Sequence, residues 1–217
     1  MVVCLVLLMI LASKIGGSAL RVLALHGSGG SPSKFDRALT CFREILPAGS
    51  VIDHLQGPFV KDDGFCWWNM DDGERSFNAR ELQGLETSFD RVIARIKETR
   101  PDILLGHSQG AMMAAIVLAK SITEKDSNLV LPKIAILSGS SYPMSQKELF
   151  EMAKSSECPV KTVHCIGRAD NINPPELAHQ LASTFKGSIV LEHGGGHVFP
   201  QDEFCLNTYR RELIGLS

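Results

Sequence analysis

The chain predicts a doubly wound α/β fold, a mainly parallel sheet with helices on both faces, and three observations carry that prediction. Strand-like apolar runs alternate with segments of helical spacing along nearly the whole sequence. With 217 residues, 44% hydrophobic and 21% charged, it has the size and composition of one α/β domain with a large core. The residues with chemical potential fall in the loops that follow strands, where such a sheet binds its ligands.

Taken in order, Leu20 to His26 reads as a buried strand that runs into a glycine loop. Phe35, Leu39, Phe42 and Ile45 have the spacing of one helix over 35–46, capped by Ser31 or Ser33. Val51 to Leu55 is a short strand. Leu85, Phe89, Val92, Ile93 and Ile96 mark an amphipathic helix over 85–97. Asp102 to Leu105 is a strand, and Ala111 to Lys120 a strong helix former. Strand and helix then alternate three more times: 133–137 and 146–154, 160–166 and 174–185, 188–192 and 202–213. The helix at 174 opens on proline.

The ends and the cysteines bear on location. Val2 to Ala12 is uninterrupted apolar chain, too short to span a bilayer as a helix, and no Lys or Arg precedes it. Residues 1–19 are therefore read as an apolar leader, either a secretory signal or an extension, and residues 20–217 as a single domain. Six cysteines lack C-x-x-C spacing and look like buried thiols of a reducing compartment, so a cytoplasmic and a secretory location both stay open. A net charge of -2, with no basic run, argues against a nucleic-acid partner.

Gly106-His107-Ser108-Gln109-Gly110 is G-x-S-x-G between a strand and a helix, the context of a nucleophile elbow. A serine on so sharp a turn is held in a strained conformation with its hydroxyl above the sheet. It needs a base to take its proton, and a carboxylate to orient that base. On this fold the acid and then the histidine follow the serine in the chain. Asp170, in the loop after the 160–166 strand, suits the acid. His197 suits the base better than His193, which ends a strand. Three glycines between these histidines cannot form the helix that an i, i+4 metal pair needs, so no metal is expected.

Oxyanion donors are expected from the backbone N–H of Gln109 and of Ser28, the latter in the loop His26 to Ser31. That loop is not a nucleotide loop, because no Gly-Lys-Ser/Thr follows and Pro32 stands where a third glycine would be. No cofactor is expected. His107 is expected to point its side chain away from Ser108, either packing or supporting the site residues from behind. His54, His164 and His179 are read as structural.

With these residues in hand, the chain resembles the FSH-type serine hydrolases, a branch of the α/β-hydrolase superfamily, over about residues 20–213. The likeness rests on Leu25-His26-Gly27, Trp67-Trp68, Gly106 to Ala111, Asp170, and Gly195-Gly196-His197 followed by Pro200. It implies an α/β-hydrolase fold, hydrolysis of carboxylic esters or thioesters, and a triad of Ser108, Asp170 and His197. The same residues would serve a thioesterase or an acyltransferase, and a non-catalytic binding module on this scaffold is the alternative from another class.

The expected partner is a small acyl ester. Residues 57–84 form a long connection holding Phe59, Phe65, Trp67, Trp68 and Met70, read as a lid or acyl-pocket wall or else as a surface loop pinned to the core. Phe65, Trp67, Trp68, Ile172 and Phe199 are the candidate substrate-binding residues. Asp62, Asp63, Asp71 and Asp72 in the same connection are expected to disfavour anionic leaving groups.

Overall fold

The computed structural model describes residues 16–124 and 129–216. The apolar stretch 2–12 and Cys4 lie outside the described residues.

Six strands form one sheet in which every pairing is parallel: β1 (Arg21–Leu25), β2 (Val51–Leu55), β5 (Ile103–His107), β6 (Ile134–Ser138), β7 (Lys161–Gly167) and β8 (Ile189–His193). Their order is β2-β1-β5-β6-β7-β8. The chain therefore leaves β1 toward one edge and later returns on its other side to continue the sheet. That reversal opens a crevice between the carboxyl ends of β1 and β5.

Alternation along each strand divides the core in two. Leu23, Leu25, Leu104, Ala135 and Leu137 face one layer, while Val22, Ala24, Ile103, Leu105, Ile134 and Ile136 face the other. The first layer is covered by α3 (Leu85–Thr99), α4 (Gln109–Glu124), α5 (Lys147–Lys154) and α6 (Pro175–Ala182). The second is covered by α1 (Pro32–Ala38), α2 (Thr40–Ile45) and α7 (Glu203–Leu213).

Local chemistry explains the boundaries. α4 is buried continuously from Gln109 to Ala119, so it is apolar all round, as a central helix must be. α3 buries Leu85, Ser88, Val92 and Ile96 at helical spacing, and it stops at Arg100, whose left-handed backbone precedes Pro101. α7 starts at Asp202, whose side chain accepts the Cys205 N–H. The helix expected over 35–46 is instead two helices broken at Leu39. The first begins earlier, at Pro32, because Ser31 caps it by accepting the Lys34 N–H. Phe35, Leu39, Phe42 and Ile45 are all buried across the break, so the apolar spacing survives while the backbone does not stay helical.

The connection 57–84 contains an unexpected antiparallel hairpin, β3 (Phe59–Lys61) and β4 (Gly64–Cys66). It turns at Asp62, which takes a left-handed conformation. Cys41, Cys66, Cys158, Cys165 and Cys205 are all free thiols.

Candidate active site

Ser108 sits between β5 and α4 with φ of 56°, the left-handed region that a residue with a side chain rarely adopts. Its N–H donates to the Ser138 carbonyl at 2.8 Å, and its own carbonyl accepts from Ala111 and Met112, which starts α4 immediately behind it. The flanking glycines permit the turn. A Cβ on Gly106 would lie 2.6 Å from the Ala111 Cα, and one on Gly110 would collide with the carbonyl oxygens of Leu25 and His26. Helix and strand therefore meet backbone to backbone at both positions.

His197 and Asp170 reach this turn from the same carboxyl end of the sheet, beyond β8 and β7. Loop 194–197 follows β8 and loop 168–171 follows β7, and the two are stitched together. Arg168 N–H donates to the His193 carbonyl at 2.9 Å, and Ala169 N–H to the Gly195 carbonyl at 3.1 Å. His197 Nε2 lies 2.9 Å from Ser108 Oγ, and His197 Nδ1 lies 2.7 Å from Asp170 Oδ2. Asp170 Oδ1 accepts two backbone N–H groups, from Ile172 and Asn173, each at 2.9 Å. The carboxylate side chain is only 2% exposed, so these bonds replace its water. His193 is buried, and its Nδ1 accepts the Gly195 N–H at 3.2 Å instead of approaching Ser108.

A cleft of about 260 Å³ opens over Ser108. Its floor is Ser108 with the rings of His107 and His197, and one wall is the loop 27–30 with Ser28. α1 also lines the cleft, through Lys34, Phe35 and Ala38. Gln109 N–H heads α4, where the first N–H groups have no partner within the helix.

His26 holds the loop wall. Its Nε2 accepts the Gly57 N–H at 3.0 Å, and its Nδ1 donates to the Gly27 carbonyl at 2.7 Å, a pattern that fits only the neutral ring protonated on Nδ1. Burial lowers its pKa, and the Gly27 carbonyl partly offsets this.

His107 departs from expectation. Its ring does not point away from the site but lines the cleft, with its centroid 5.0 Å from that of His197 and 6.2 Å from that of Phe35. Desolvation, helped by repulsion from His197, pushes its pKa down to about 3, so it is a neutral aromatic wall at physiological pH.

None of the five candidate substrate-binding residues is among those that line this cleft. Trp67 and Trp68 are fully buried in the first core layer. The Trp67 indole N–H donates to the His26 carbonyl at 2.7 Å, and that of Trp68 to Ser76 Oγ at 3.2 Å. Phe65 is half-buried on β4, with its N–H on the Gly30 carbonyl. Phe199 stacks with Tyr209 and meets Phe35 and Phe42 edge-on in the second core layer. Ile172 is 39% exposed beside Asp170. A ring buried on all sides with its polar atom satisfied is core, and that is where the tryptophans of residues 57–84 lie. The acidic residues of that segment do not line the cleft either.

Lys34, Phe35, Ala38 and His107 are the lining residues that sequence reasoning did not assign. The i, i+1, i+4 spacing of the first three, on a helix just after the glycine loop, is the signal that could have found them.

Gln109 has a second contact that spacing does not reveal. Its buried side chain accepts the Trp67 N–H at 2.8 Å and donates to the Trp68 carbonyl at 3.0 Å.

Sheet order, elbow and loop positions define an α/β-hydrolase. Solved structures of similar architecture include esterase PE8 (TM-score 0.70, 21% identity, 94% of this chain and 96% of that one) and Zea mays acyl-protein thioesterase 2 (TM-score 0.65, 17% identity, 94% and 96%). The family described as Serine hydrolase (FSH1) matches residues 16–209, and the chain belongs to it. Relatives include Esterase CG5412 of Drosophila melanogaster, 31% identical over 89% of this chain and 74% of its own length. Esterase OVCA2 of Mus musculus is 30% identical over 83% and 89%.

Proposed function

We propose that this serine hydrolase cleaves small carboxylic esters through an acyl-serine intermediate. The observation that carries the reading is the unbroken chain from Ser108 Oγ to His197 Nε2 at 2.9 Å and from His197 Nδ1 to Asp170 Oδ2 at 2.7 Å. In this reading His197 takes the hydroxyl proton as Ser108 attacks the ester carbonyl. Asp170 holds the ring so that Nε2 faces the serine, and it stabilises the imidazolium that forms. Charge developing on the carbonyl oxygen meets the backbone N–H groups of Ser28 and Gln109. His197 then returns the proton to the leaving alcohol, and water repeats the sequence to release the acid.

The apolar faces of Phe35 and Ala38 suit a short acyl or alkyl group, and the cleft volume fits a small ester. A thioester would pass through the same steps with a thiolate leaving group.

Labelling with a fluorophosphonate, followed by peptide mass spectrometry, tests the nucleophile. A single adduct on Ser108, lost in Ser108→Ala, is expected, together with a fall in kcat of about 10⁴-fold or more. A folded protein that takes no label, or a Ser108→Ala variant with the wild-type rate, would overturn the reading.

A further inference from the structure

Among the described residues that line the cleft, Lys34 alone carries a fixed charge. Its Nζ donates to two neutral acceptors, the carbonyls of Gly29 and Asp63, each at 3.3 Å. It makes no ion pair with a described carboxylate, although Asp62 and Asp63 sit on the adjacent hairpin turn. Two long carbonyl contacts hold the ammonium over the loop without neutralising it. An ammonium is a compact, mobile point charge that readily exchanges such contacts for a carboxylate.

Its position relative to Ser108 follows from the loop. Gly27 abuts the serine, since a Cβ there would lie 3.1 Å from Ser108 Cβ. Gly29, two residues on, is one of the carbonyls that holds Lys34. Lys34 and Ser108 line the same cleft of about 260 Å³, so the side chain that carries the ammonium and the serine border one small space. A group bonded to Ser108 would reach it across a short aliphatic spacer, and Phe35 and Ala38 line the way.

We infer that Lys34 recognises a carboxylate borne by the substrate, so that the preferred esters are half-esters of short dicarboxylic acids or close analogues. The inference rests on the ester-hydrolase reading and names its substrate class. The carboxylate would lie on the acyl side of the ester, so the expected bias of the acidic residues of 57–84 against anionic leaving groups does not bear on it.

Steady-state hydrolysis of monomethyl succinate and of methyl butanoate compares a charged and a neutral ester of similar shape. Lys34→Met is expected to raise KM for monomethyl succinate about five- to tenfold, leave its kcat within about twofold, and shift KM for methyl butanoate far less. Lys34→Arg should keep most of the preference. Asp62→Asn, which removes an acid near Gly29, should lower KM for the charged ester only. Equal effects of Lys34→Met on both esters, or none on either, would overturn the inference.

Calorimetric titration of Ser108→Ala with monomethyl succinate and with methyl butanoate separates this inference from the hydrolase reading, because binding needs no turnover. Tighter binding of monomethyl succinate, lost in the Ser108→Ala, Lys34→Met double variant, supports the carboxylate site even if neither ester is hydrolysed by the parent protein. Equal binding of the two esters counts against it even if both are hydrolysed.

Discussion

Asp170 and Asn173 brace one another. Asp170 Oδ1 accepts the Asn173 N–H at 2.9 Å, while the Asn173 side-chain amide donates to the Gly139 carbonyl at 2.6 Å. Gly139, in a left-handed conformation, lies tight against the rings of His107 and His197. Asp170, His197 and His107 are thus tied through one asparagine. The carboxylate has no freedom to rotate, because Oδ1 is committed to the backbone and Oδ2 to His197.

That commitment predicts the effect of Asp170→Asn. The amide oxygen would keep the two backbone donors, leaving the NH₂ group facing His197 Nδ1. His197 would then carry its proton on Nε2 and could not accept one from Ser108. The expected result is a fall in kcat of about 10⁴-fold with little change in KM or thermal midpoint, measured by steady-state ester hydrolysis and calorimetry.

Replacing the two histidines of the last loop one at a time separates base from support. His197→Ala should remove turnover, whereas His193→Ala should retain it, since His193 bonds within its own loop. Comparable losses in folded samples of both variants would reassign the base.

Gly110→Ala should be among the most damaging single-methyl additions in the chain. The new Cβ meets backbone carbonyls of β1 that no rotamer change can move, so destabilisation of about 3 kcal/mol or more is expected. Denaturant midpoints and soluble yield report it. Gly187→Ala offers a contrast, because space there is open and only its left-handed conformation resists a side chain.

Acid should destabilise the fold through its buried histidines. His107 and His164 are held neutral by burial, each with a pKa pushed down to about 3, against an ordinary value of 6.5 in the unfolded chain. Below pH 6.5 the unfolded chain binds protons that the folded one refuses, so stability is full above pH 6.5 and is lost as pH falls toward 3. Among the described residues neither ring nitrogen of His164 has a hydrogen-bond partner, and its ring packs near Phe185. His164→Leu should therefore raise the thermal midpoint and flatten its dependence on pH between 6.5 and 4. An unchanged slope would mean that His164 does not contribute.

Gln109→Ala should damage both stability and rate. It strips partners from the buried Trp67 N–H and Trp68 carbonyl, at about 1–3 kcal/mol for each unpaired group. The backbone N–H of residue 109 survives, so any loss of kcat measured well below the melting temperature reports the shape of the elbow.

Much of this architecture was legible because its signals are local. Six apolar runs became the six strands of the main sheet, and the order of loops along the chain singled out Ser108, Asp170 and His197, which the fold brings within hydrogen-bond reach. What sequence could not decide was the destination of aromatic side chains. Trp67, Trp68 and Phe199 sit beside the right loops, but whether such a ring faces a cleft or the core depends on distant partners such as Ser76, Gln109 and Tyr209. The wall formed by α1 escaped for a related reason. The helix was expected to start at Phe35, and its true start at Pro32, set by the Ser31 cap, brings Lys34 to the rim. The orientation of His107 depended on Phe35 in the same way.

The clasp between Gln109 and the two tryptophans has a practical bearing on directed evolution. A library aimed at new selectivity would naturally diversify the aromatic-rich connection, yet those rings are fasteners, and most variants there would be lost to misfolding before selectivity was sampled. With Phe35 buried in the second core layer, positions 34 and 38 form the exchangeable surface. They border the cleft from a short, separately capped helix and leave the clasp intact, so diversity placed there would be read out as changed preference among esters.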